Sequence, residues 1–388
     1  MRDKLVGWTC TYIPEEIILA AGLRPVRLLG TQEPVRVADY LVPSNLCPYV
    51  RSIIDQVSSV RPDGVFVASS CNAAEHLIDA LRRQFSDIFC HLVQVPRIRD
   101  TGAISYYEEQ IRLMIRVIED GFDVKITPEA LKNAISIVSC IKNLLHRAYD
   151  LLKRPEPAIT GGRYLRMVEM AMTADKAQAA RELKDTLGGL AVEPEGPATA
   201  QEDPRPGRPR VFLVGSLCPI SVVDVIEESG GVVVGEELCA GSRYFLTDDL
   251  PLSVDGAWPS GDSAWFSGDG ACGQGLKAAG LGDIDIDDII RYLAARYLAK
   301  EPCARMQDSG ERYSRLVERI KALNADGVIF YVLKFCDMYL YEYPILQGRL
   351  DRLGIPVILL EGDYTAGGIE QARTRIGAFI EMLDSRRI

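Results

Sequence analysis

Two distant stretches of the chain write the same order of residues. DGVFVASSCNAA begins at Asp63 and DGVIFYVLKFCDMY begins at Asp326, each running from Asp-Gly through an apolar run to a cysteine. An apolar run bounded by a turn signal and then by polar residues reads as a strand buried on both faces. Cys71 and Cys336 then stand at strand C-terminal ends, the edge of an open parallel sheet where ligands bind. Cys47, in PSNLCPYVRS, stands at a third loop-to-helix start. A helix N-terminus carries positive partial charge, which favours a thiolate and the negative charge of a sulfide cluster. Three thiolates on one cubane leave one iron without protein sulfur, the open position that catalytic metal sites keep for substrate. The plain alternative is that each cysteine is a small packed residue, since free cysteine is among the most buried types.

Other chemistries are narrowed by what the chain lacks. None of its ten cysteines forms a C-x-x-C, which removes zinc ribbons, thioredoxin-like motifs and ferredoxin-type runs. His76, His91 and His146 have no H-x-x-x-H spacing, so a zinc site is not supported, and His76 reads as an ordinary helix histidine. No G-x-x-x-x-G-K-[ST] occurs, and Gly268, Gly270 and Gly273, although in G-x-G-x-x-G spacing, do not follow an apolar strand. Cys90, Cys140 and Cys272 read as packing residues. Among polar residues near the motifs, Ser44 and Asn45 precede Cys47, and Asp363 and Tyr364 follow the strand-like PVILLEG; Ser44 and Asp363 are the catalytic candidates. Glu15 and Glu16 read as first-turn carboxylates favoured by the helix dipole, and MYLYEYP after Cys336 as helix packing.

The elements that must position these residues alternate. KLVGW, PVRLLG, GVFVAS and HLVQVP read as strands between helical segments, the rhythm of a parallel α/β sheet. From about residue 104 the pattern turns to long helical stretches without strands. AVEPEGPATAQEDPRPGRPR is rich in Pro, Gly and charge and reads as a linker, after which RVFLVGS restarts the alternation. The expected organisation is an α/β fold: an N-terminal α/β domain over 1–103, a helical annex over 104–190, a linker over 191–209 and a C-terminal α/β domain over 210–388. WPSGDSAWFSGDGACGQG, inside the last, reads as a surface or lid loop.

At 388 residues the chain exceeds what one core organises, and 47% hydrophobic with 25% charged residues is the composition of an ordinary globular protein. A net charge of -10 without a basic stripe argues against nucleic acid, although Arg24 and Arg27 offer local partners for an anionic cofactor tail. No apolar stretch approaches membrane-spanning length and MRDKLVGWTC lacks an h-region, so the expected home is the cytoplasm.

The motifs CTYIPEEIILAAGLRPVRL, SNLCPYVRS, SSCNAAEHL and the long block KFCDMYLYEYPILQGRLDRLGIPVILLEGDYTAGGIEQARTRIGAFIEML resemble the D-component family of 2-hydroxyacyl-CoA dehydratases, which also contains benzoyl-CoA reductase subunits. The resemblance runs nearly end to end. It implies two Rossmann-like domains with a helical portion, and a [4Fe-4S] cluster held by Cys47, Cys71 and Cys336. It further implies an ATP-hydrolysing activator that injects one low-potential electron, a sister subunit, and an acyl-CoA substrate whose thioester carbonyl becomes a ketyl radical that expels the neighbouring hydroxyl. The contexts of Cys10, Cys218, Cys239 and Cys303 resemble instead the related double-cubane cluster proteins, homodimeric ATP-dependent reductases of small molecules with an [8Fe-9S] cofactor. On that reading Cys10, Cys239 and Cys303 are second-cubane ligands. A third class, a two-lobed solute-binding module, shares the α/β organisation, but a missing signal peptide and the strand-end cysteines weigh against it.

Overall fold

The computed structural model describes residues 4–190, 207–246, 285–307 and 309–386. Strands β1 (Leu5–Trp8), β2 (Arg24–Arg27), β3 (Gly64–Ala68) and β4 (Phe89–Val93) alternate with helices α1 (Glu15–Ala20), α2 (Ala38–Leu41), α3 (Pro48–Val60) and α4 (Asn72–Gln84). Four longer helices follow: α5 (Thr101–Phe122), α6 (Pro128–Leu152), α7 (Gly161–Thr173) and α8 (Lys176–Leu190). The alternation resumes with β5 (Arg210–Gly215), α9 (Ile220–Glu228), β6 (Val232–Glu237) and a 3-10 turn at Ser242–Tyr244. It closes with α10 (Ile286–Leu298), α11 (Ser309–Ala322), β7 (Gly327–Leu333), α12 (Asp337–Asp351), β8 (Val357–Gly362) and α13 (Ala366–Ser385). Residues 191–206 of the expected linker, and the Gly-rich stretch at 258–275 with Gly268, Gly270, Gly273 and Cys272, lie outside the described residues.

The strands form two sheets of one plan, ordered β2-β1-β3-β4 and β6-β5-β7-β8, with every pairing parallel. The chain is thus an α/β protein with two Rossmann-like units. The apolar runs GVFVA and GVIFYVL are buried along their whole length because helices cover both faces of a parallel sheet. In each sheet the direction of winding reverses beside the first strand, between β1 and β3 and between β5 and β7. Such a reversal leaves a crevice at the strands' C-terminal ends. At Gly215, which ends β5 with φ +150°, a Cβ would sit 1.8 Å from the Tyr331 carbonyl oxygen, so only glycine lets the chain leave this crevice beside β7.

The helical section joins the two sheets. Helix α7 packs against β2, β6 and α9, and α6 against α1 and β6. One apolar core therefore runs from Trp8 and Ile17 through Tyr164 and Val168 to Leu213 and Ile329. Two further clusters cover the outer faces, around Ile53 and Leu81 in one lobe and around Phe330 and Leu350 in the other.

Glu15 and Glu16 depart from the expected capping role. Both are buried, neither caps its helix, and each meets cations from remote segments. Glu15 pairs with Lys176 at 2.6 Å and accepts from the Tyr244 hydroxyl at 2.6 Å. Glu16 pairs with Lys142 at 3.3 Å, lies 3.9 Å from Arg296 and accepts from the Tyr297 hydroxyl at 2.5 Å. Burial works to raise the Glu16 carboxyl, but Lys142, Arg296 and Tyr297 outweigh it and hold the group at about 2. Arg27 is likewise no surface anion site. It is 2% exposed, stacked 5.0 Å from the Trp8 ring centre.

Candidate functional site

The C-terminal strand ends of the two sheets face each other. Tyr364, beyond β8, donates from its hydroxyl to the Leu29 carbonyl beyond β2 at 2.5 Å, and Lys300 Nζ donates to the Thr11 carbonyl beyond β1 at 2.7 Å. Into this crevice the topology feeds cysteines. Cys10 follows β1, Cys71 follows β3, Cys239 follows β6 and Cys336 follows β7, while Cys47 lies between β2 and β3. Cys303 sits in the loop after α10, which is pinned onto the first lobe: Arg305 donates to the Ser69 carbonyl at 2.9 Å and the Gln307 amide to that of Arg97 at 2.9 Å. All six thiols are free and half-buried.

The helix starts set three of these cysteines apart. Helices α5, α6, α7, α10 and α13 begin on an Asp or Thr side chain that accepts from the amide three residues on. Helices α3, α4 and α12 begin on Cys47, Cys71 and Cys336 with no side-chain cap. The first amides of a helix need an acceptor. At these three starts a sulfur-bound anion fits that need.

Electrostatics couples the thiols into two overlapping groups. Burial, opposed by the Val50 and Tyr49 amides, pushes the Cys47 thiol up to about 11, and a Cys71 thiolate pushes the same way. The Cys336 thiol is raised by burial and then by Cys47, Cys239 and Cys71. Burial and the charge of Cys239, against Arg243, push Cys303 up to about 11, with Cys10 adding to the rise. Cys10 is raised by burial and by Cys239, against the Tyr12 amide and Arg27. The charges of Cys47 and Cys71 thus act on Cys336, those of Cys10 and Cys239 act on Cys303, and Cys239 also acts on Cys336. Cys218 stands apart: it is buried, and after burial its charged neighbour is Glu236.

Thiols that burial makes costly to ionise need compensating cations, and the crevice supplies Arg27, Arg243 and Arg305. Among the described residues no three His, Cys, Asp or Glu side chains converge as ligands of a single ion. Six free thiols are a donor set of the chemical type that holds iron-sulfur clusters.

Beside Cys47 and Cys336 lies a cavity of about 300 Å³ lined by both sequence-derived polar candidates, Ser44 and Asp363, together with Arg51, Lys334, Phe335 and Tyr364. Phe335 and Tyr364 hold φ of +63° and +66°, uncommon for bulky residues and of a kind that gathers at functional sites. Asp363 Oδ1 accepts from the Thr365 hydroxyl at 2.6 Å and amide at 3.2 Å, and Oδ2 from Lys334 at 3.3 Å. Partial burial opposes ionisation, yet these bonds hold the carboxyl below its usual range, so Asp363 is an anion near neutrality. A smaller cavity of about 140 Å³ shares Thr31 and Tyr364 with it.

Sequence reasoning passed over Arg243 and Tyr339. The run MYLYEYP divides in the structure: Tyr339 is buried against Cys239 while Tyr341 is 77% exposed. His76 is exposed on α4.

Fold and site together define a two-lobed α/β protein that gathers thiols from both sheets in one crevice. The chain matches the family model described as 2-hydroxyglutaryl-CoA dehydratase, D-component, over residues 10–259 and 263–383, and it belongs to that family. It is 27% identical over 98% of its length, and 91% of the relative's, to the Escherichia coli protein named "Putative dehydratase subunit YjiM". Similarity extends to the (R)-phenyllactyl-CoA dehydratase beta subunit of Clostridium sporogenes (24%, covering 98% of this chain and 92% of the relative). A benzoyl-CoA reductase subunit of Thauera aromatica is 25% identical (98% and 91% covered). Among the described residues no helix is long and apolar enough to cross a membrane.

Proposed function

We propose that the chain is the iron-sulfur subunit of a cytoplasmic 2-hydroxyacyl-CoA dehydratase-type enzyme, with Cys47, Cys71 and Cys336 holding a [4Fe-4S] cluster. The observation that carries this reading is the meeting of those three thiols, drawn from both lobes, at three helix starts without side-chain caps. When bound, the cluster supplies a low-potential electron, received from an ATP-hydrolysing activator, for reductive chemistry on an acyl-CoA thioester. The chain's own residues do the rest. The Tyr49 and Val50 amides at the start of α3 donate toward the Cys47 sulfur, and the uncapped starts of α4 and α12 turn their positive ends toward an anion there. Ser44, Arg51 and Lys334 present donors at the neighbouring cavity, where they orient the oxygens of an acyl thioester. Asp363, held as an anion by Thr365 and Lys334, fixes Lys334 at the cavity rim. Relatives named as beta subunits support a sister subunit as partner.

One observation favours a second reading. Cys10, Cys239 and Cys303 lie near enough to feel one another's charge, and Cys239 also feels Cys336. Six thiols so arranged suit a double-cubane [8Fe-9S] cofactor in a homodimeric ATP-dependent reductase of small molecules. Iron and acid-labile sulfide in anaerobically purified protein separate the readings, at about four of each per chain for one cubane and about eight for two. Protein that stays colourless and iron-free after anaerobic reconstitution would sink both.

The extra thiols have a test of their own. If they hold a second cubane, Cys239→Ser and Cys303→Ser each lower the iron content to roughly half. Unchanged iron in both variants returns the chain to the single-cubane reading.

A further inference from the structure

Cys239 is a cysteine whose sulfur touches two side-chain donors. Arg243 Nη1 lies 3.4 Å from its Sγ, and the Tyr339 hydroxyl lies 3.4 Å from the same atom. Arg243 also donates to the Tyr339 hydroxyl, so guanidinium, phenol and sulfur form one closed contact. Arg243 is 2% exposed and is not free to turn away: its Nε donates to Glu237 Oε1 at 2.9 Å, and Arg312 donates to both oxygens of the same carboxylate at 3.0 Å. Arg312 in turn pairs with Glu342 on α12, the helix that starts at Cys336 and carries Tyr339. A positive charge is thus built rigidly against one sulfur, and the phenol that completes the contact belongs to the element bearing a ligand of the other thiol group.

The geometry points to Arg243 and Tyr339 as positioning residues that set the reduction potential of the cluster bound through Cys239, a role that rests on the two-cubane reading. Hydrogen bonds and positive charge at a ligating sulfur stabilise the extra electron of the reduced state, so they raise the potential. Cys47 takes the Tyr49 and Val50 amides at its sulfur, whereas Cys239 takes a guanidinium and a phenol, so the two halves of the cofactor would stand at different potentials.

The test uses anaerobically purified full-length chain, titrated against redox dyes and followed by electron paramagnetic resonance, with iron counted in each sample. Arg243→Gln should leave about tenfold less reduced cluster at a fixed potential, a shift of about 59 mV to more negative values for a one-electron couple. Tyr339→Phe, which keeps the ring and its packing, should shift in the same direction by less, with iron content as in the parent. Arg243→Lys, which keeps the charge, should restore part of the potential. If Arg243→Gln does not fold, Tyr339→Phe decides alone, and an unmoved potential at full iron content overturns the inference. Parent protein with about eight irons and unmoved variants overturns this role only. Parent protein with about four irons, unaffected by Cys239→Ser, overturns the two-cubane reading and this role with it.

Discussion

Cys336→Ser is expected to fold, to lose its iron and to lose turnover with the activator. The start of α12 rests on backbone bonds, the Cys336 amide to the Leu333 carbonyl and the Leu340 amide to the Cys336 carbonyl, each 3.1 Å. Serine is moreover a good helix-capping residue, so the helix keeps its beginning. The apolar packing beneath it comes chiefly from Tyr339, Leu346 and Leu350, with the Cys336 side chain at its margin. A hydroxyl left unpaired there would cost about 1–3 kcal/mol, less than the roughly 5–15 kcal/mol that stabilises a typical domain. Binding of the cluster would meanwhile fall to two thiolates and a poor oxygen ligand. Circular dichroism should match the parent while iron and turnover collapse. A variant with full iron and normal turnover would reduce Cys336 to a packed residue and remove the main reason for the proposed function.

Glu16→Gln is expected to be the most destabilising single change outside the thiols. The carboxylate is 0% exposed and compensates Lys142 and Arg296, with Glu15, Lys176, Tyr244, Tyr297 and Lys300 packed around it. Removing one partner of a buried pair leaves the other charge uncompensated, at a cost of roughly 3–5 kcal/mol. The pH dependence follows from the same contacts. The folded carboxyl sits at about 2 against an ordinary 4.5, so its stabilisation is complete above about pH 4.5 and is lost as the pH falls toward 2. The gap in unfolding free energy between parent and variant, measured in urea, should therefore be widest near neutrality and narrow on acidification through that window. A gap of the same size at pH 7 and pH 3 would show that Glu16 contributes by shape rather than charge.

The difference between Glu16 and Cys336 also shows what a sequence discloses. Strand-then-cysteine is a local pattern, since burial, strand end and helix start are all written within a dozen residues. The two parallel sheets were legible for the same reason, and so was the position of Cys47 before Pro48. Glu16 reads as an ordinary first-turn carboxylate because its partners lie 126 and 281 residues away, at Lys142 and Tyr297. Arg243 was passed over on similar grounds. It follows Cys239 by four residues, but only the fold brings Tyr339, 96 residues further on, against it. Ser44 and Asp363 each stand out in local context, and their meeting at one cavity depends on two lobes that no single segment describes.

The continuous core carries a mechanical consequence. In clamshell binding proteins the lobes are joined by a few hinge residues and swing apart to admit ligand. Here α7 reaches both sheets and α6 joins α1 to β6 through close-packed side chains, and close-packed interiors switch between arrangements rather than deform smoothly. A wide swing would tear Tyr164 and Val168 from their neighbours and pull α1 from Lys142 and Lys176. The crevice is therefore a fixed gauge. Whatever enters does so through movements of its rim rather than by a swing of the lobes.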